Sequence, residues 1–356
     1  SPLHRSEFEY LTFEPDAGGW NNIRMAMETV LAVAFSMGRT LVLPPSKEIY
    51  LLRKGSKRHF SFSDFFHMQA IHDEHAGLNI ITMEEYLEKE YGNFRTKDGQ
   101  LSHPPGNITN WDGKQNVKDL FQWLRSVSQV TMLNTEKCLS AFPATAEEKD
   151  VDFLKDLEKS VLQSDPKPKF EDFVGKPVNV DAPAADRLRE NAAGREELCI
   201  YNEEMQNARH MHYPCDHSMD IRLLVHFYAF AFYQDWKQDL WMKRFVRDHV
   251  RYTDEIQCAA ARVIKALREF AVKETGSEQF NSFHVRRGDF QYKATRVEAD
   301  VLLSQAQKKI QEGSVIFMAT DERNKCQHEL LWYGGSVGRF TRPCFLWMLV
   351  QHIYGK

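Results

Sequence analysis

The sequence predicts an α/β protein made of two Rossmann-like domains that face a cleft. Three observations predict it. Near the N-terminus a strand, a glycine turn, an amphipathic helix and a second strand follow one another. Far downstream the same alternation returns, and there an apolar strand ends in two adjacent arginines. Strands alternating with helical periods read as βαβ units on a parallel sheet.

In the first unit Glu9 to Phe13 reads as a strand, Gly18-Gly19-Trp20-Asn21-Asn22 as a tight turn, and Arg24 to Met37 as a helix. Met27, Val30, Leu31, Ala34 and Phe35 supply its apolar face. Gly38 ends the helix, and Thr40 to Leu43 forms the next strand before Pro44-Pro45. Glycines ahead of a helix N-terminus let bare backbone N–H groups approach a phosphate or sugar. The full G-x-G-x-x-G spacing of a dinucleotide fingerprint is absent.

Phe60 to Phe66 then reads as a short helical turn and Leu78 to Ile81 as a strand. Thr82 opens a helix through a capping box closed by Glu85. Residues 92–117, rich in Gly, Pro, Asn and Asp, read as loop, and Val127 to Met132 as a strand. Ala144 to Asp181 is a charged surface excursion with a helix from Glu148 to Leu162. Asp220 to Val250 reads as one long helix, buried over Leu223 to Tyr233 and surfacing at Lys243, Arg244, Arg247 and Asp248.

The second unit starts with a helix over Thr253 to Lys273, apolar at Ile256, Ala260, Val263, Leu267 and Phe270, and capped by Gly276. Phe280 to Val285 is a strand, Glu298 to Gln311 a helix and Ser314 to Ala319 a buried strand. Domain boundaries follow at 1–250 and 251–356, the second domain being short. The strand delivers His284-Val285-Arg286-Arg287-Gly288-Asp289-Phe290 at its carboxyl end, where open α/β sheets bind ligands. Arginine grips phosphate bidentately, so a nucleotide diphosphate is the expected guest. The competing reading is an Arg287–Asp289 surface ion pair of little consequence.

At 356 residues and 42% hydrophobic content the chain can fill two cores. Its 46 basic and 50 acidic residues nearly balance, so no global field favours nucleic acid or an anionic membrane. No apolar run reaches the roughly 18 residues of a membrane helix. The chain begins at Ser1, so any membrane attachment is expected through a preceding anchor. Asn107-Ile108-Thr109 is a glycan acceptor sequon. Of the six cysteines, Cys199 and Cys215 flank a loop and are the expected bridge; Cys258, among alanines on a helix, is expected as a buried thiol.

Asp150-Val151-Asp152 has the D-x-D form that can hold a divalent cation, but it lies in a charged helical stretch and reads as a solvated face. His67, His72 and His75, and separately His210, His212 and Cys215, are groups that could chelate zinc; neither has a matched second pair, and no metal is expected. No G-x-S-x-G, P-loop or kinase signature anchors a hydrolase or phosphoryl-transfer reading.

Four segments in order carry a family resemblance: Gly18-Gly19-Trp20-Asn21-Asn22-Ile23-Arg24, Arg39-Thr40-Leu41-Val42-Leu43-Pro44-Pro45, His284 to Phe290, and Ala319-Thr320-Asp321-Glu322. The chain resembles the O-fucosyltransferase superfamily. Phe62-Ser63-Asp64-Phe65-Phe66 and Ile80 to Tyr86 look most similar to its branch acting on thrombospondin-type repeats.

The resemblance implies a GT-B-like fold, the second domain apparently incomplete, and metal-free, inverting transfer of fucose from GDP-fucose to a Ser or Thr hydroxyl of a folded protein domain, in the endoplasmic reticulum or Golgi lumen. It implies that Arg286 grips the donor diphosphate and stabilises the charge growing on the leaving GDP oxygen. Gly18, Gly19, Trp20, Asn21, His284, Asp289 and Phe290 would complete the donor pocket, with Asp321 at a strand end facing the same cleft. GDP-fucose is the donor substrate, and no cofactor is implied.

Two departures accompany the resemblance. The loop glutamate that serves as general base in the thrombospondin-repeat class aligns with Gly18 here, and Glu28 on the following helix reads as structural. Beyond Asn324 the family's D-Q-x-V/L-C and S-T-F-S-G-Y-I segments are missing. A glycan α-1,2 or α-1,6 fucosyltransferase, or an inactive GDP-sugar-binding relative, are the alternative functions.

Overall fold

The computed structural model describes residues 8–16, 20–48, 59–74, 78–106, 114–128, 130–131, 138–163, 179–192, 195–215, 231–286, 297, 301, 304–306, 309–310 and 313–320. The chain divides into two compact units, Ser1–Thr253 and Asp254–Lys356.

The first unit runs β1 (Tyr10–Phe13), α1 (Trp20–Met37), β2 (Thr40–Leu43), β3 (Lys47–Glu48), β4 (His59–Phe60), α2 (Met68–Glu74), β5 (Ile80–Thr82), α3 (Met83–Lys89), α4 (Lys114–Val127) and β6 (Val130–Thr131). It continues with β7 (Cys138–Phe142), α5 (Glu148–Val161), α6 (Ala184–Asn191), β8 (Glu197–Ile200), α7 (Glu203–Asn207), β9 (His210–Tyr213), β10 (Ala231–Tyr233) and α8 (Trp236–His249). Among the described residues five strands form a parallel sheet in the order β5-β2-β1-β9-β6. A second parallel sheet has the order β10-β7-β8.

β1 is central and buried along its whole length, as a parallel strand covered on both faces must be. α1 is buried on nearly every side from Ala26 to Ala34. Phe35 at its far end stacks on Trp241 and Phe245 of α8, with ring centroids 4.3 and 5.8 Å apart. Gly38, at φ 69°, closes the helix in the left-handed conformation, and Arg39 N–H donates back to Ala34 O at 2.9 Å. Thr82 caps α3 as expected: Glu85 N–H donates to its Oγ1 at 3.2 Å, and Thr82 N–H to Glu85 Oε2 at 2.8 Å.

The second unit contains α9 (Asp254–Thr275), β11 (Phe280–Val285) and β12 (Val315–Thr320). Gly276, at φ 73°, ends α9, and its N–H reaches Val272 O at 2.9 Å. β11 and β12 pair in parallel from Phe280↔Val315 to Val285↔Thr320, so the segment between them is a crossover.

Several sequence expectations need correction. α1 begins at Trp20 rather than Arg24, so Trp20, Asn21 and Asn22 form its first turn. Of the long helix expected over Asp220–Val250, residues 220–230 lie outside the described residues, and the rest is β10 followed by α8; Ala231, Phe232 and Tyr233 pair with Ser140, Ala141 and Phe142. Lys114–Val117 belongs to α4, not to a loop. The disulfide joins Cys138 to Cys199, with Cα atoms 5.5 Å apart. These cysteines sit on adjacent strands, Cys199 opposite Ser140 in the ladder and Cys138 two residues along the same face. Cys215 follows β9 in the other sheet, its Sγ 3.8 Å from Asp16 Oδ2. Cys258 is an exposed thiol, because its face of α9 is solvated. Cys326, Cys344 and Asn107 lie outside the described residues.

Candidate functional site: the carboxyl ends of the parallel strands

Parallel strands present their carboxyl ends on one edge, where the loops that bind ligands gather. In the first unit this edge carries Glu14, Pro15 and Asp16 after β1, Pro44 and Pro45 after β2, and Pro214 and Cys215 after β9.

Glu14 is the hub of this edge. Arg125, on α4, grips it with two bonds, Nε to Oε1 at 2.6 Å and Nη2 to Oε2 at 2.7 Å. His212 Nε2 lies 3.0 Å from Glu14 Oε1, and its Nδ1 lies 2.8 Å from the Thr12 hydroxyl. Burial raises the Glu14 pKa, but hydrogen bonds from His212 and Arg125 outweigh it and hold the carboxyl below its ordinary value. Burial pushes His212 down, against the pull of Glu14. A neutral ring protonated on Nε2 serves both partners. Glu14 therefore ties α4 and β9 to the edge of the sheet through three bonds.

The first turn of α1 is similarly committed. Trp20 Nε1 donates to the Tyr252 hydroxyl at 3.0 Å, and its ring packs on Phe65 with centroids 4.0 Å apart. Arg24 pairs with Glu28 at 2.7 Å and lies 5.3 Å above the Tyr252 ring. Asn21, between them, is exposed. Tyr252 organises this motif from the far end of the unit, and no local pattern around it signals the role.

Lys47, on β3, closes the group. Its Nζ donates to Asp16 O at 2.7 Å and to Pro15 O at 3.4 Å. It lines a cleft whose walls include Trp20, Pro44, Pro45, Phe60 and Phe65. Burial pushes its ammonium down to about 8, against the opposing pull of Asp16 and Cys215. Sequence reasoning passed over this residue because its neighbours Ser46 and Glu48 give it no motif.

In the second unit Arg286 directly follows β11 at its carboxyl end and is exposed. Ser282, His284 and Arg286 share the exposed face, while Phe283 and Val285 are half-buried on the other, as a period of two requires. Gly18, Gly19, Asp289, Phe290 and Asp321 lie outside the described residues. Of the expected donor-pocket residues, the structure thus places Trp20 and Asn21 together on α1, and His284 on β11 with Arg286 directly after it.

The other groups weighed have structural partners. Asp150 accepts from Thr145 Oγ1 at 2.5 Å and Gln234 Nε2 at 2.8 Å, and Asp152 pairs with Lys155 at 2.8 Å. His72 Nδ1 accepts from Ile80 N–H at 2.9 Å. His210 lies 3.0 Å from the Tyr86 hydroxyl, its pKa pushed down to about 4 by burial. His75 lies outside the described residues. Among the described residues no three His, Cys, Asp or Glu side chains are grouped to hold a metal. No described helix is long and apolar enough to cross a membrane.

Comparison with known proteins gives one extended match. The family described as GDP-fucose protein O-fucosyltransferase matches residues 10–331. No curated protein sequence matches the chain. Similar solved structures include POFUT1 in its apo form, at 12% identity over 89% of this chain and 80% of that one, with a TM-score of 0.31. Complexes of POFUT1 with GDP-fucose and with GDP match at 14% identity over 89% of this chain and 79% of that one, with TM-scores of 0.33 and 0.31. Superpositions this weak leave the assignment to the family match, which spans both units. The chain belongs to the GDP-fucose protein O-fucosyltransferase family, and so to the glycosyltransferases.

Proposed function

We propose that the chain transfers fucose from GDP-fucose to a Ser or Thr hydroxyl of a folded protein domain, with inversion at the sugar carbon and without a metal. The observation that carries this reading is Arg286, exposed at the carboxyl end of β11 within the segment that matches the family's H-x-R. A guanidinium there supplies the charge that a cation otherwise brings to a diphosphate, and it acts most strongly as negative charge collects on the departing GDP oxygen. On this reading residues 251–356 form the donor-binding domain, with His284, Asp289, Phe290 and Asp321 as donor-binding residues in addition to Arg286. Residues 1–250 form the N-terminal domain, to which Gly18, Gly19, Trp20 and Asn21 belong as further donor-binding residues. The Cys138–Cys199 disulfide supports a place in the oxidising lumen of the secretory pathway, where Asn107 could carry a glycan.

Calorimetry with GDP in excess chelator, followed by transfer assays on a panel of folded domains and free glycans, tests the proposal. Saturable binding in chelator and an inverted fucosyl product on protein are expected. Binding that requires Mn²⁺ or Mg²⁺, or transfer to glycans alone, would refute the corresponding part.

A further inference from the structure

The ligand edge of the first unit spends its polar side chains on the protein itself: Glu14, Arg24 and Lys47 all hold partners there. A cavity of about 570 Å³ in the second unit is the reverse. Its walls include Arg268 on α9, Glu278 and Gln279 ahead of β11, Phe280 and Asn281 on it, and Lys309 in the crossover. Phe280 aside, none of these side chains has a hydrogen bond or ion pair among the described residues. We infer that the cavity is a binding site for a sugar that carries one carboxylate, separate from the site proposed around Arg286.

Size and lining set the ligand class. Pockets for small ligands run from about 300 to 1,000 Å³, so this one takes a pyranose ring with room for a substituent. The amides of Gln279 and Asn281 each offer donors and an acceptor, which matches neighbouring hydroxyls. Phe280, half-buried, supplies an apolar wall for the C–H side of a ring. On a convex surface water alone would satisfy such polar groups; here they converge on a concavity, as in a recognition site.

Charge narrows the class further. Arg268 and Lys309 bring two positive charges and Glu278 one negative, a net of +1. That balance suits a single carboxylate, which the Arg268 fork can grip with two bonds. A phosphate monoester carries about −1.5 to −2 at pH 7, and Glu278 would repel it more strongly. Glu278 in turn accepts hydrogen bonds from hydroxyls, which a sugar has and a simple anion lacks.

The cavity lies toward the amino ends of β11 and β12, whereas Arg286 follows the carboxyl end of β11. The six residues of β11 separate the two by about 20 Å, so both sites can be filled at once. Binding here does not depend on fucosyl transfer.

Saturation-transfer NMR titrations of the full chain with glucuronate test the inference, with methyl glucuronide, glucose and inorganic phosphate run beside it. Glucuronate is expected to bind with a dissociation constant of about 1 mM, and glucose and phosphate at least about ten-fold more weakly. Arg268→Gln and Lys309→Gln, both at exposed positions, should each weaken glucuronate about ten-fold without changing the melting temperature. Excess GDP should not displace it. Methyl glucuronide binding as well as glucuronate assigns the site to a ring borne on a glycan, and the free sugar binding alone assigns it to a free acid; both uphold a sugar carboxylate. Phosphate binding as tightly as glucuronate would reduce the cavity to a general anion site, and glucose doing so would remove the role of the two cations; either overturns the inference. So would unchanged affinity in both variants, displacement by GDP, or no saturable binding of glucuronate.

Discussion

Arg39 and Arg286 both belong to family-like segments and both border a parallel strand, yet they sit at opposite ends of their strands. Arg39 precedes β2 at its amino end and is fully buried. It donates to the Tyr201 hydroxyl at 3.1 Å, to Ala208 O at 2.6 Å and to Met205 O, none of them a carboxylate. Arg286 follows β11 at its carboxyl end and is exposed. Amino ends here are packed into α7 and the turn before β9; carboxyl ends open into loops. The end of the strand, rather than the residue type, separates an arginine that builds the fold from the one proposed to meet an anion.

The largest expected effect tests the carboxyl end. Arg286→Ala should lower transfer by about 10²–10³, with the melting temperature unchanged, because a transition-state charge donor is lost without a buried contact. Arg286→Lys should not restore the rate, since a point charge cannot reproduce the fork. Steady-state kinetics beside thermal melts check both. An Arg286→Ala enzyme near the wild-type rate would erase the contrast between the two arginines.

Next comes the amino end. Arg39→Met leaves two buried carbonyls without their donor and should cost roughly 2–4 kcal/mol of stability, read from chemical denaturation. GDP affinity of the folded fraction should stay at the wild-type level. A loss of affinity with stability intact would place Arg39 on the ligand and break the comparison from the other side.

A pH series sharpens it. His210, at the amino end of β9, titrates at about 4 in the folded chain against an ordinary 6.5. Between those values the unfolded chain binds the extra proton, so stability must fall as pH drops through that window. From pH 7 to pH 5 this one group should cost about 2 kcal/mol, and His210→Gln should remove that part of the slope. Denaturation midpoints at the two pH values check it; equal slopes in both proteins would mean that folding does not shift the His210 pKa.

How much of this was legible depended on where the signal lay. The βαβ unit at residues 9–43 could be read because α1 is bounded by glycine and its neighbours are short apolar strands. Gly276, the Thr82 box and the β11–β12 pair were legible for the same local reasons. β9 was hidden because His210-Met211-His212-Tyr213 carries two polar side chains that the fold buries against Tyr86, Thr12 and Glu14. β10 was hidden inside a run that is apolar on every side, where periodicity cannot tell strand from helix. In the site, Arg286 could be found from its motif. Lys47 and Tyr252 could not, because their roles come from partners distant in sequence or from backbone carbonyls.

The smallest effect limits how far the rule reaches along the edge. Thr82 ends β5, so it stands at a carboxyl end, but β5 is the outermost strand of its sheet and Thr82 spends its hydroxyl capping α3. Thr82→Ala should therefore behave as a lost cap, costing about 1 kcal/mol in denaturation, with no change in GDP affinity or transfer rate. Thr82→Ala removes the bond from the Glu85 main-chain N–H and leaves the Glu85 carboxylate on the main-chain N–H of residue 82, so Glu85→Ala should still cost about what it does alone. A Thr82→Ala protein with weakened GDP binding would extend the ligand edge to the outermost strand. The division would then follow strand ends without regard to position in the sheet, whereas normal binding leaves the outermost β5 outside it.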